Sequence, residues 1–434
     1  ETGPYFQPGK GGETVITEID GQRYQTTRNL TEEKARSKEI IKALPTLVIN
    51  DSEGGEWYLE DPENCLELLL ELQNVGDGVK VEWPEGEKLR VSHQAGFGQF
   101  NLNIQRQRDW FAAEGELRID DNLVIGLQQL MELMEKSPGR FIALADGQFL
   151  ALTNEFRQRL EELKAFSEKQ GKGRRFHPLA ALALEDMLDE AESLKSDRHW
   201  KEHLKRIKEM KDLDPQLPST LQADLRDYQV EGFQWLARLA HWGVGACLAD
   251  DMGLGKTLQA LALILTKASK GPTLIVAPTS VCPNWISEAN RFAPTLNPFQ
   301  FGSGDRGSVL ENLQPFDLVL CTYGLLQQEE VSEMLAKVQW QVVVLDEAQA
   351  IKNMATKRSQ AAMNLQAEFK LLTTGTPIEN HLGELWNLFR FCNPGLLGSL
   401  ESFNERFANP IERNQNKAAR DQLKRLIQPF MLRR

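Results

Sequence analysis

The 434-residue chain has only five cysteines (Cys65, Cys247, Cys282, Cys321 and Cys392), an odd number, widely spaced and nowhere in a CxxC pair. This argues against both a disulfide framework and a structural zinc site, and suits a reducing cytoplasm. No apolar run approaches the roughly 20 residues that a membrane helix needs, and the first residues lack a basic segment followed by an apolar one. Neither a membrane span nor a secretory signal is expected. Basic residues are also in deficit: 50 Lys and Arg stand against 62 Asp and Glu, a net charge of −12. That deficit is unevenly spread, because residues 221–434 carry 21 of each sign and the first 220 residues therefore hold the whole −12. The second half can hold a local basic track. With 41% hydrophobic and 26% charged residues, what remains is a globular protein long enough for two or three domains.

The chemistry is concentrated in one stretch, Ala249-Asp250-Asp251-Met252-Gly253-Leu254-Gly255-Lys256-Thr257, set between a small, apolar run (Gly245 to Leu248) and a strongly helical one (Leu258 to Lys267). It reads as a phosphate cradle. Gly253 and Gly255 lack a Cβ, so the backbone of Asp251 to Gly255 can turn sharply and aim N–H groups at phosphate oxygens, with the positive end of a helix behind them. Lys256 can reach the terminal phosphates, and the Thr257 hydroxyl can ligate a bridging Mg²⁺. The strict pattern has Gly where Asp250 stands, so this is a variant P-loop. Downstream, Val343-Val344-Leu345-Asp346-Glu347-Ala348-Gln349 is an apolar strand that ends in two carboxylates. Asp346 would hold Mg²⁺, and Glu347 would orient and deprotonate an attacking water. Upstream, Gln229 offers the paired donor and acceptor that can read an adenine edge.

Around these motifs the chain reads as three regions. Residues 1–168 form an α+β domain, with a hairpin at Thr14 to Ile19 and Tyr24 to Thr27, and a helix at Thr31 to Leu44 with Thr31 as N-cap. Further helices are expected at Pro62 to Gln73, Leu123 to Lys136 and Thr153 to Ser167. Strands are expected at Val79 to Trp83, Phe100 to Gln105, Phe141 to Leu144 and Gln148 to Leu152. Residues 169–218 begin with a basic, glycine-containing linker, Lys169 to Arg175, followed by helices at Pro178 to Leu194 and Asp197 to Asp212. Within the latter, His199-Trp200-Lys201-Glu202-His203 matches the inverted zinc-protease pattern HxxEH, but a run so rich in Lys and Glu is expected to be a solvated helix face. From 219 to 434 apolar strands alternate with helices (Gly245 to Leu248, Thr273 to Ala277, Leu318 to Thr322, Val342 to Leu345, Phe369 to Thr373). This predicts a parallel sheet with its ligand loops at the carboxyl edge.

The series LRDYQVEGFQWL (225–236), DDMGLGKT (250–257), LIVAPTSVCPNW (274–285), LCTYG (320–324), LDEAQAIKN (345–353), LLTTGTPIEN (371–380) and FMLRR (430–434) resembles the Swi/Snf-type branch of helicase superfamily two. The resemblance implies a RecA-like lobe that binds ATP with Mg²⁺ and tracks along double-stranded DNA, remodelling or stripping protein–DNA complexes. DNA-bound proteins such as RNA polymerase would be its partners. It also implies that Gln229 contacts adenine, that Thr279, Ser280, Thr322, Tyr323, Gly324, Lys352 and Asn353 touch the DNA backbone, and that Thr374, Gly375 and Thr376 couple nucleotide state to DNA. Trp285 is read as a packing residue rather than a base-stacking platform. The family's motor has two such lobes with an arginine finger on the second, so the chain is expected to be a fragment that binds nucleotide and turns it over very slowly alone. The N-terminal half resembles the helicase-associated region of bacterial members through Asp109-Trp110-Phe111 and the hairpin FIALADGQFLAL. A strand-separating helicase and an ATP-gated nucleic-acid scaffold without turnover are the alternative readings.

Overall fold

The computed structural model describes all residues except 1–5, 20, 51, 54, 76–78, 84–88, 93, 120–122, 145–146, 185–193, 303 and 379–380. The chain divides into two compact units, Glu1–Leu102 with Glu114–Glu161 and Ala191–Ser193, and Asn103–Ala113 with Glu162–Glu190 and Leu194–Arg434.

The first unit mixes short strands and helices. Thr14–Ile19 and Gln22–Thr27 pair antiparallel with Thr14 opposite Thr27, while Asp20 of the expected turn lies outside the described residues. The next helix, Leu30–Lys42, starts before Thr31. Its cap is Asn29, whose Oδ1 accepts the Glu32 N–H at 3.2 Å, because an amide oxygen in extended backbone reaches the third helical N–H. Residues 79–83 form no strand. Ahead of helix Leu127–Lys136, the β-branched pair Val124-Ile125 makes a short strand, Val124–Gly126, opposite Glu116 to Arg118, where a continuous helix from Leu123 was expected. The hairpin Phe141–Ala143 and Gln148–Ala151 forms as predicted, and it packs with helix Pro62–Val75 around Leu66, Leu70, Val91, Phe141 and Ala151.

The second unit is organised on a seven-stranded sheet: β1 (Ala246–Leu248), β2 (Thr273–Ala277), β3 (Asn297–Gln300), β4 (Asp317–Thr322), β5 (Gln339–Asp346), β6 (Gln366–Thr373) and β7 (Met431–Leu432). The order is β3-β4-β2-β5-β6-β1-β7, and every pairing is parallel. The five strands predicted from apolar runs are all present, with β2 buried throughout, as a sheet covered on both faces requires. β3 and β7 escape sequence reading because edge strands of four and two residues carry too little pattern. Helix Lys256–Lys267 packs against both Asp227–Trp242 and Cys282–Phe292 beside this sheet.

The expected linker at Lys169 to Arg175 is instead an antiparallel hairpin, Ser167–Gln170 with Gly173–Phe176. Gly171 turns at φ 57° at its tip, and Arg174 folds inward to donate to Ser167 Oγ at 2.6 Å, which removes one basic charge from the surface. Of the helix expected at Pro178 to Leu194, a 3₁₀ turn at Pro178–Leu182 is present, residues 185–193 lie outside the described residues, and Leu194–Ser196 is a strand. Helix Arg198–Asp212 is capped by Asp197, which accepts the Trp200 N–H at 2.8 Å. Its two histidines part company: His199 is exposed, whereas His203 turns inward and donates from Nε2 to Pro178 O at 2.9 Å. An aromatic seam then runs from Phe111 and Trp200 (4.7 Å) through His203 and Trp242 (5.9 Å) to Phe430 (6.2 Å).

His177 lies in the same layer, edge-on to Trp110, and burial together with the nearby His203 pushes its pKa down to about 4. Below the ordinary value of 6.5 an unfolded chain takes up a proton that the fold refuses. This contribution to stability is therefore complete above pH 6.5 and is lost as pH falls toward 4, by about 3 kcal/mol at most. Urea unfolding at neutral and acid pH checks it. His177→Asn, which keeps an acceptor for the Leu179 N–H, is expected to flatten the pH dependence.

Candidate functional site

The loop after β1 does what its glycines permit. Gly253 and Gly255 both sit in the left-handed region, at φ 84° and 74°, and Gly255 is the residue from which helix Lys256–Lys267 starts. A Cβ on Gly255 would also run into the Gln229 amide. The Lys256 ammonium folds over the loop and donates to Asp250 O at 2.6 Å and Asp251 O at 3.1 Å. Asp250, completely buried, takes the Arg434 N–H at 2.9 Å, so the residue that departs from the strict pattern braces the loop from behind.

The Gln229 side chain is buried, with Oε1 accepting the Arg226 N–H at 2.9 Å and Nε2 donating to Leu254 O at 3.2 Å. Each amide atom is thus engaged once by the protein. Gln229 braces the phosphate loop and has one donor and one acceptor position left.

At the end of β5, Asp346 is almost fully buried, and three protein donors hold its carboxylate, leaving one acceptor position on Oδ2. Oδ1 accepts from the Thr373 hydroxyl at 2.6 Å and the Glu347 N–H at 3.0 Å, while Oδ2 accepts from the Trp285 indole at 2.8 Å. Trp285 is therefore a buried packing residue that also orients the carboxylate. Replacing it by Phe keeps the ring and removes the donor to a charged acceptor. A loss of about 2 kcal/mol is expected, checked by denaturant unfolding.

Glu347 follows at φ 50°, a left-handed conformation uncommon outside glycine, which turns its side chain off the strand line. Gln349 Nε2 donates to Glu347 Oε2 at 2.7 Å, and Gln349 Oε1 accepts from the Thr374 hydroxyl at 3.0 Å. The Thr374 hydroxyl in turn accepts the Thr376 N–H at 3.1 Å, and Thr374 is tied to β1 through its own N–H to Leu248 O at 3.1 Å. A polar relay thus links Glu347 to the Thr374-Gly375-Thr376 loop, and Gly375 lies against Met252 of the phosphate loop.

Three residues of this site were not singled out from sequence. Gln349 and Thr373 lie inside motif stretches but gain their roles only through partners 25 and 27 positions away. Glu288, one turn after Trp285, is half-buried and hydrogen-bonded to Thr257. Burial, offset by that bond and reinforced by the charge on Asp346, raises its carboxyl above the usual carboxylate range.

The residues expected to touch nucleic acid are divided by the structure. Thr279, Ser280 and Asn353 are exposed on their loops and Gly324 is exposed in the short helix Tyr323–Leu326, while Thr322 is half-buried, its hydroxyl spent as N-cap on Leu325 N at 3.1 Å. Tyr323 is a correction: it is buried, and its hydroxyl donates to Asp346 O at 2.9 Å, so it supports the β5 terminus and does not reach outward. Lys352 is half-buried and pairs with the buried Glu384 at 3.5 Å.

A family model described as the SNF2-related domain matches residues 228–434. A Bacillus subtilis protein, provisionally named an ATP-dependent helicase/translocase (YwqA), is 45% identical over 220 residues, covering 48% of this chain and 23% of that protein. The human chromatin-remodeling ATPase INO80 is 40% identical over 238 residues, 50% of this chain and 15% of its own length. Among solved structures, the Sulfolobus solfataricus SWI2/SNF2 ATPase core in complex with dsDNA is 41% identical, covering 51% of this chain and 47% of that one, with a TM-score of 0.47. The chain spans about a quarter or less of the curated relatives it matches. Within residues 228–434, then, the chain carries a match to the SNF2-related domain.

Proposed function

We propose that this domain is the first motor lobe of a DNA-dependent ATPase that moves along double-stranded DNA and remodels or strips protein–DNA complexes. The observation that carries the reading is the convergence of the phosphate loop and the β5 carboxylates on one sheet edge, joined to the Thr374-Gly375-Thr376 loop by the Glu347–Gln349–Thr374 relay. The donor set fits ATP with Mg²⁺: left-handed glycines frame a cradle of N–H groups, a lysine overhangs it, and the nearby ligands are all hard oxygens. Bound ATP with Mg²⁺ supplies the phosphoryl group and the charge neutralisation that its transfer to water needs.

In this reading Lys256 would give up its two carbonyls for the phosphates, and Thr257 and Asp346 would hold the metal. Glu347 takes the proton of the attacking water, and the Gln349 amide keeps that carboxylate aimed. The same amide reports the state of Glu347 to Thr374, which is how nucleotide state would reach the nucleic-acid loops. The names of the relatives, a helicase/translocase and a chromatin-remodeling ATPase, support the choice of reaction class.

The test is ATP turnover by the full-length protein with and without duplex DNA, followed by triplex displacement to detect translocation. Duplex-stimulated turnover with triplex displacement and no strand separation is the expected result. Strand separation at a comparable rate would replace the translocase reading with that of a helicase, and binding without any turnover would leave a nucleotide-gated scaffold.

A further inference from the structure

We propose that the second unit carries a separate site for the phosphate backbone of duplex DNA, built from the turn 106–109, the tip of the Ser167–Phe176 hairpin and the first turns of helix Arg198–Asp212. Counted whole, residues 106–109, the hairpin Ser167–Phe176 and the helix Arg198–Asp212 hold 12 Lys and Arg against 5 Asp and Glu, or 11 without the inward-turned Arg174, although they lie in the half of the sequence that carries the entire net charge of −12. Such a reversal of local charge is the electrostatic footprint of a polyanion partner.

The segments are fixed against one another. Asp197, the cap of the helix, accepts the Arg106 N–H at 2.7 Å, and Gln170 at the hairpin tip donates to Gln107 Oε1 at 2.9 Å. The turn and the helix border a cleft of about 210 Å³ lined by Arg106, Arg108, His199 and Arg206, together with Asp109 and Glu202. Glu202 is already bound by Arg198 at 2.7 Å. The cleft has room for a phosphate group and its water, and Lys172 at the exposed hairpin tip extends the cationic track.

A second observation is independent of charge. Arg108 sits at φ 55°, a conformation that Gly or Asn adopts far more readily, and Arg106 Nε donates to Arg108 O at 2.9 Å to hold it there. A tight turn that keeps a strained arginine where glycine would fold more easily is retaining the side chain for use.

The cleft favours backbone contact over base stacking. Of the aromatics that border it, Phe111 is buried, and Trp110 has Arg175 over its ring at 4.8 Å and His177 against it edge-on. What remains is backbone recognition. Because the aromatic seam joins this layer to Trp242, the last residue of the helix that carries Gln229, a duplex held here is anchored to the motor lobe. Only the naming of the polyanion as DNA rests on the proposed function.

The test compares the full-length protein with a variant carrying Arg106→Ala, Arg108→Gly, Lys172→Ala and Arg206→Ala, and with Arg108→Gly alone. Binding of a fluorescent duplex is followed by anisotropy between about 50 and 200 mM salt. The expected result is at least about a tenfold loss of duplex affinity at low salt and a slope of log K against log salt shallower by about 3.6, at about 0.9 for each of the four phosphate contacts. Arg108→Gly alone should melt at or above the wild-type temperature yet lose about one contact from the slope, which a merely structural arginine would not do. Unchanged slopes overturn the proposal, as does a loss confined to single-stranded DNA or to an acidic protein competitor. If duplex leaves wild-type ATP turnover unstimulated while the slope still falls in the variants, the motor reading fails and this site stands.

Discussion

Replacing Glu347 by Gln is expected to lower duplex-stimulated ATP turnover by about 10³-fold or more while leaving nucleotide affinity within about threefold of wild type. The substitution is nearly isosteric, and glutamine tolerates the φ of 50° no worse than glutamate, so backbone strain is unchanged. The amide oxygen can still accept from Gln349 Nε2, now at 2.7 Å from Glu347 Oε2, and the relay to Thr374 survives. What disappears is the only property that a relay or a packing role would not need, the capacity to accept a proton from water. Phosphate release and a nucleotide titration on the same preparation separate the two effects. Lys256→Ala is the contrast: there nucleotide affinity itself should fall, because the cation over the cradle is gone. Turnover of Glu347→Gln within about tenfold of wild type would remove Glu347 from the chemistry.

Gly245→Ala is expected to destabilise the second unit by about 3 kcal/mol and to weaken nucleotide binding with it. Gly245 immediately precedes β1, and Asn393 clamps it from both sides: its N–H donates to Asn393 Oδ1 at 2.9 Å, and its carbonyl accepts from Asn393 Nδ2 at 2.9 Å. A Cβ at this position would overlap the carbonyl of Cys392, the last residue of helix Leu382–Cys392. The obstacle is backbone, so no rotamer change relieves it, and β1 must move. Because β1 leads directly into the phosphate loop, the displacement reaches the cradle. Gly253→Ala is a useful comparison, since a Cβ there meets nothing and the cost is the left-handed backbone alone, about 1 kcal/mol. Denaturant unfolding of both variants distinguishes them; a Gly245→Ala protein that unfolds like wild type would show that this close approach is not maintained in solution.

The second unit's sheet and its loops were legible where local chemistry is self-contained. The turn at Gly253 and Gly255 can be read because only residues without a Cβ take those φ values cheaply, and the five inner strands because a sheet covered on both faces demands unbroken apolar runs. The N-terminal region was harder. Lys169 to Arg175 looked like a linker because charge and glycine suggest solvation, yet the buried ends of the segment, Ser167 and Phe176, make it a paired hairpin.

By itself, the sequence determined the identity of the phosphate loop, the two β5 carboxylates, the order of the sheet-forming segments and the SNF2-related match of residues 228–434, because each is written in contiguous residues whose spacing is set by one turn or one strand. Only the tertiary structure decided which atoms those residues spend on one another. Gln229 braces Leu254, Tyr323 turns inward to Asp346, Trp285 and Thr373 hold the Asp346 carboxylate, and Arg106 and Arg108 meet Arg206 across 98 to 100 positions of sequence. The reason is that hydrogen bonds and charge convergence depend on distance in space. Sequence spacing encodes that distance within one element, and the packing of one element on another sets it everywhere else.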